Sequence, residues 1–307
     1  MILHPTDLPP GLSITEGGPQ LPHGLQWVSW WTWDPLVIGA LALAATLYTT
    51  GAMRLWRHAG VAHGLQPWQA IAHGVGITII ALALLSPLDA ASDVLFSAHM
   101  AQHELLMLVA APLIVLGRPL APVVWSLPRG WRTAALRTGR TDTVKRVWHV
   151  LTTPAIAVLI HALTRLVWHV PALFDAALAD ERIHAIQHLS FFATAVLFWW
   201  TLIHGRYGRY GYGVGLAFVF VTMLYSGLLA AVLSFAREPL YAHGARSARL
   251  GIDAVVDQER AGLVMWVPAG VIMMGIGLAI FAAWLGQSER RMAHSPHASL
   301  RAEEDNA

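Results

Sequence analysis

The chain has 307 residues, 56% of them hydrophobic and only 12% charged, with a mean hydropathy of +0.52. A soluble domain carries about a quarter charged residues, so this composition excludes an ordinary soluble domain and points to the bilayer. The formal charge of +2 leaves no footprint for a nucleic-acid partner, and the lack of any cysteine removes disulfides and thiolate metal sites.

In chain order, residues 1–34 are rich in Pro and Gly and carry Trp27, Trp30, Trp31 and Trp33. They have no basic n-region, so they read as an extracytoplasmic segment with an aromatic interfacial anchor and not as a cleaved signal. Apolar runs then place membrane spans at 35–53, 69–86, 95–116, 151–169, 184–203, 213–235 and 263–285. Lipid offers backbone groups no partner outside a helix or a closed barrel, and these runs are too long and too continuously apolar for barrel strands. The expected fold is an all-α membrane protein, with a domain of seven transmembrane helices over 35–285 and a polar, disordered tail over 286–307. His294 and His297 in that tail read as solvated.

Orientation follows from the basic residues. Fourteen fall in loops 54–68, 117–150 and 204–212 and in the tail; five fall on the other side, at Arg182, Arg237, Arg246, Arg249 and Arg260. The N-terminus is therefore expected outside and the C-terminus in the cytoplasm. Loop 118–150, with Trp125, Trp131 and Trp148, is expected to lie as an amphipathic piece on anionic membrane lipids.

The third span opens with FSAHMAQHELLM at 96–107. Residues four apart share a helix face, so His99, His103 and Met107 form one stripe descending from the outer surface. The fifth span opens with His184 and His188 at the same spacing, and the fourth leaves on that side through His161, Arg165 and His169. Polar groups in a span are functional candidates by default. Two imidazoles at this spacing can chelate one ion, and two such pairs can hold one ion or two. With Met present and Cys absent, copper is favoured over zinc. Asp89, Asp93 and Asp175 are candidate acceptors for ring N–H groups, and Arg165 is expected either to snorkel to the interface or to pair with one of these aspartates. His243, Asp257 and Met265, on or near the last outer loop, are within reach of the cluster. A competing reading, in which the imidazoles only hydrogen-bond between helices, stays open on geometry alone.

Three functions fit seven spans with outer histidines: a copper-handling factor, a haem-binding membrane electron carrier, and a proton-coupled transporter. The only lysine, Lys145, lies in a cytoplasmic loop, which excludes a retinal Schiff base in a span. HELLM is not HExxH, which removes the zinc-protease reading.

Several runs carry a resemblance. SPLD at 86–89, FSAHMAQHELLMLVAAPL at 96–113, LGRPL at 116–120, WHVPALFDAAL at 168–178, HAIQHLSFF at 184–192, FWW at 198–200 and DQERAGLVMWVPAG at 257–270 are similar to the signature of the CtaG family. These are polytopic, seven-helix cytochrome c oxidase assembly factors, and the resemblance covers roughly residues 35–285. It implies a non-enzymatic protein of the bacterial inner membrane that supplies copper, one ion or two, to the oxidase. Its family histidines fall on His99, His103, His169, His184 and His188, and its late Asp-Gln pair on Asp257 and Gln258. The partners expected are a cytochrome c oxidase subunit in the membrane and a periplasmic copper donor. The oligomeric state stays open, a homo-oligomer included.

Overall fold

A computed structural model describes residues 13–15, 18–20, 30–205, 207–249 and 251–293. Residues 294–307 of the tail expected to be disordered, with His294 and His297, and most of the N-terminal segment, with Trp27, lie outside the described residues. Of that segment, residues 30–34 and a short antiparallel pair, Ser13–Thr15 (β1) with Gly18–Gln20 (β2), are described.

The first long helix, α1, spans Pro35–Ala59; Asp34 caps it by accepting from the N–H groups of Leu36 and Val37, with Pro35 at a position where no N–H is needed. α2 (Pro67–Leu85) starts on a capping box between Gln66 and Gln69. A short α3 (Pro87–Ser92) leads into the third long segment, built as α4 (Phe96–Glu104), a π-helical stretch over Leu105–Ala110, and α5 (Ala111–Leu116). The long polar loop expected next is helical: α6 (Leu120–Ser126), α7 (Arg129–Gly139) and α8 (Asp142–Leu151). Neither α7 nor α8 has a buried residue, in keeping with a surface location. Then come α9 (Pro154–Trp168), α10 (Pro171–Ala179), α11 (Glu181–His204), α12 (Tyr207–Phe235), α13 (Gly244–Arg249) and α14 (Ala254–Ala293). α14 runs past the end expected at 285, so the first residues of the polar tail continue the helix.

Among the described residues, six helices are long and apolar enough to cross a membrane. The expected fourth span is shorter than the sequence suggests, because α9 has 15 residues and qualifies only together with α8, from which it is bent by 65°. Pro154 explains the break: it has no N–H to donate, and it pushes Thr153 into an extended conformation, ψ 129°.

The third segment is the axis of the bundle. In Phe96–Leu116, 67% of the apolar window is buried, against 17–39% in the other five spans. Those five turn Leu43, Ile71, Leu189, Phe220, Leu228, Val271 and similar side chains outward, an apolar surface of the kind a bilayer accommodates. Close approach depends on small residues. At Gly262 an added Cβ would lie 2.2 Å from Ser234 Oγ and 2.8 Å from the Ala230 carbonyl oxygen, so glycine lets α12 and α14 pack backbone to backbone.

Candidate metal centre

The third segment begins where it does because α14 caps it. The Asp257 carboxylate accepts the N–H groups of Phe96 (2.7 Å) and Ser97 (3.2 Å) and the Ser97 hydroxyl (2.6 Å). An acceptor with negative charge suits the unsatisfied donors of a helix N-terminus. That places His99 and His103 in the first turns of the segment. Asp180 caps α11 in the same way, accepting from Arg182 and Ile183, so His184 and His188 occupy its opening turns. His169 is the residue at which α9 stops.

These elements bring the four paired histidines into one column. His99 and His184 stack, centroids 5.2 Å apart and planes 17° from parallel. One turn deeper, His103 and His188 stand nearly perpendicular at 4.9 Å. Along each helix the neighbouring rings are 4.3 Å apart. One ligand nitrogen from each of His99, His103 and His184 lies within 4.8 Å of the other two. Three imidazole nitrogens around one zinc-like ion, each about 2.1 Å from it, stand about 3.4–3.6 Å from one another, so nitrogens at the 4.8 Å limit need to draw in by about an ångström to share one ion. His169 and His103 both pack against Phe191, at 6.3 and 4.9 Å.

The nitrogens of this column lack partners. His99 Nε2, both nitrogens of His103, and Nε2 of His184, His188 and His169 are buried without a hydrogen bond. Buried polar atoms in folded proteins are overwhelmingly paired, and each orphan costs about 1–3 kcal/mol. A neutral ring keeps one N–H, so the six atoms offer up to five lone pairs in one place, and imidazole lone pairs are metal donors.

Two ring N–H groups near the column are oriented by backbone. His169 Nδ1–H donates to the Arg165 carbonyl at 2.7 Å, which turns Nε2 into the bare acceptor. His243 Nε2–H donates to the Ser92 carbonyl at 2.9 Å. The carboxylates expected in this role do other work. Asp89 accepts from Gln102 Nε2 (2.7 Å), which also donates to the Ala83 carbonyl; burial raises the Asp89 carboxyl above its usual range, opposed by hydrogen bonds from Thr32 and Gln102. Asp175 accepts the Ala242 N–H (3.0 Å), and Asp257 is the cap already described. At Asp93 the backbone carbonyl, not the carboxylate, receives Arg246 (2.9 Å).

Arg165 corrects both expectations made for it. Its Nη2 pairs with Glu104 Oε1 at 2.8 Å, deep between the helices, with side-chain exposures of 5% and 6%. Arg165 and Glu104 sit 61 residues apart in sequence, and nothing local marks the pairing.

Met107 departs from the predicted stripe for a structural reason. The π-helical stretch adds a residue to the turn and rotates the residues beyond it, so the four-residue spacing no longer extrapolates. In this register the Ala111 N–H bonds the Leu106 carbonyl; the partner of the Met107 carbonyl would be residue 112, a proline without an N–H. Trp199 Nε1–H fills the place at 2.8 Å. The Met107 side chain is buried and, with Met223, Met265 and Met273, lines a cavity of about 40 Å³ beneath the histidines, walled on one side by Glu104 and Arg165. That volume holds a water or two, and Glu104 Oε2 and Arg165 Nε, both buried and unpartnered, are candidate hydrogen-bonding partners for it.

The late Asp-Gln pair is structural in its contacts. While Asp257 caps α4, Gln258 Oε1 accepts the Leu240 N–H (2.8 Å) and its Nε2 donates to the Leu233 carbonyl (3.3 Å), fixing the connection between α12 and α13.

The family model for the cytochrome c oxidase caa3 assembly factor (Caa3_CtaG) matches residues 46–287, which is most of the chain and includes every histidine of the column. The chain belongs to that family. Among curated relatives of this Caa3_CtaG protein, an uncharacterized protein of Mycobacterium leprae is 24% identical over 292 residues, covering 89% of this chain and 42% of the relative. Uncharacterized proteins of Mycobacterium bovis and Mycobacterium tuberculosis are each 24% identical over 309 residues, covering 94% of this chain and 45% of theirs. The chain thus spans less than half the length of the curated relatives it matches. No solved structure matches it.

Proposed function

We propose that this member of the caa3 assembly-factor family is a non-enzymatic copper carrier of the bacterial inner membrane. It takes one or two copper ions from a periplasmic donor and passes them to a cytochrome c oxidase subunit docked beside it. The observation that carries the reading is the cluster of buried, unpartnered imidazole nitrogens on His99, His103, His184 and His188, with His169 at its edge. Helix bridging predicts the opposite pattern, ring nitrogens paired across helices, as His161 pairs with Thr194 at 3.1 Å. Copper is the cargo that matches the donors: imidazole accommodates either oxidation state, the thioethers of Met107 and Met265 lie just beneath, and no thiolate competes.

The haem reading requires a planar slot between two facing imidazoles. Around each ring here the space is taken by the next imidazole or by Phe174 and Phe191, at 4.3–5.3 Å. In our reading the bent α8–α9 pair carries the fourth of seven crossings, with α9 in the membrane and α8 turned 65° onto its surface. The excess of Arg and Lys in loops 54–68 and 117–150 puts the histidine end outside.

The test is copper content per chain in detergent-purified protein, beside oxidase activity in cells at limiting copper. His99→Gln and His103→Gln lose most bound copper while the protein remains inserted; His63→Gln, exposed at the opposite end, keeps it. Full copper in both cluster variants would return these histidines to helix packing, and an intense Soret band in the purified protein would favour haem.

A further inference from the structure

We propose that His243, on the connection between α12 and α13, donates Nδ1 to the same site and makes that connection a fixed cap over the metal. The inference rests on the metal reading of the histidine column. His243 lies well over a hundred residues from His99 in sequence, yet its ring centroid stands 5.8 Å from that of His99, planes 69° apart. The side chain is 1% exposed. A carbonyl only accepts, so the bond to Ser92 places the proton on Nε2 and leaves Nδ1 as a lone pair. That Nδ1 is buried with no partner. An imidazole with one N–H held by a carbonyl and its other nitrogen bare is the arrangement found at histidine metal ligands.

The rest of the connection holds this ring in place. Leu240 N–H is held by Gln258 Oε1 at 2.8 Å, and the Tyr241 hydroxyl donates to the His169 carbonyl at 2.9 Å. Ala242 N–H is held by Asp175 Oδ1 at 3.0 Å. Beyond the ring, Arg246 donates to the carbonyls of Asp93 (2.9 Å) and Leu178 (3.1 Å). Phe96, Phe174 and Tyr241 pack together below, at 4.4–5.3 Å, and exclude other polar partners from that side. Four separate elements therefore fix a short strap whose one orphaned polar atom belongs to His243. The order down the column becomes His243, then His99 with His184, then His103 with His188. An ion entering at this end meets the strap first.

The experiment uses the full chain in detergent, loaded with copper ions alone. It measures copper release to a competing chelator and the number of imidazoles around copper by X-ray absorption. His243→Gln keeps a donor for the Ser92 carbonyl but loses Nδ1; His243→Asn is the second variant should the first fold poorly. Tyr241→Phe removes an anchor of the strap and leaves Nδ1 in place. We expect release at least about tenfold faster in the His243 variants, the lower end of what perturbing a histidine site costs, with one imidazole fewer per copper. In Tyr241→Phe the imidazole count stays at the wild-type value. Wild-type release and an unchanged imidazole count in the His243 variants would overturn this inference while leaving the column intact, provided His99→Gln still loses copper. Equal acceleration in Tyr241→Phe and His243→Gln, with no change in imidazole count, would reduce His243 to a strap anchor. A wild-type chain that retains no copper would overturn the column itself, and the cap with it.

Discussion

Replacing Glu104 by Leu should destabilise the protein severely, and adding Arg165→Met should restore much of the loss. The two side chains meet at 2.8 Å with only 5–6% of their surface exposed. At an effective dielectric of about 20, unit charges 4 Å apart attract by about 4 kcal/mol, and the cost of burying them is of similar size. The pair therefore adds little net stability. Removing one member is different, because the other charge stays buried without compensation, at about 3–5 kcal/mol. With about 2–4 °C per kcal/mol for chains somewhat shorter than this one, either single variant should lower the midpoint by roughly 6–20 °C. Midpoints of all variants belong at one scan rate, read by the monodisperse fraction after heating. The double variant should be more stable than either single one, as replacing a buried ion pair with apolar side chains is often neutral or better. If the losses simply add, the two residues are not coupled and the argument from the buried pair is wrong.

Trp199→Phe should cost about 1–3 kcal/mol, since it orphans the Met107 carbonyl that Pro112 cannot serve; a thermal midpoint within error of wild type would mean the π-helical stretch repairs itself. Asp89→Asn should stabilise the protein at neutral pH and lose its advantage in acid. The folded Asp89 carboxyl is raised by burial, so the native state holds this proton more tightly than the unfolded chain does. Stability from this group is therefore present below the unfolded value of about 3.9 and falls as pH rises through the folded one. Midpoints of wild type and variant measured from pH 4 to 8 should diverge upward; parallel curves would refute the assignment.

Much of the site was legible because its spacing is local. His99 with His103, and His184 with His188, repeat at one helical turn, and any helix places such pairs on one face whatever surrounds it. Apolar length marked the spans, and the direction in which each helix runs put both pairs at the same end. The third and fifth segments being neighbours was then a geometric expectation, and the 4.9 Å between His103 and His188 meets it.

Other features depend on partners far away in the chain. Met107 leaves the stripe through a π-helical stretch that Pro112 only partly forecasts, since the bond that completes it comes from an indole 92 residues on. Arg165 finds Glu104, and Asp257 finds the first turn of α4 across 161 residues. Neither pairing has a periodic signal, because it depends on how two helices are rotated and shifted against each other. The fourth span was expected over 151–169, yet Pro154 starts its helix late and leaves 15 residues bent by 65° from α8. His243 was only within reach until five hydrogen bonds set the strap that carries it. Composition and periodicity determine which faces a helix offers; the rotation and depth of each helix, and so which buried nitrogens share one space, are decided only when all the helices pack at once.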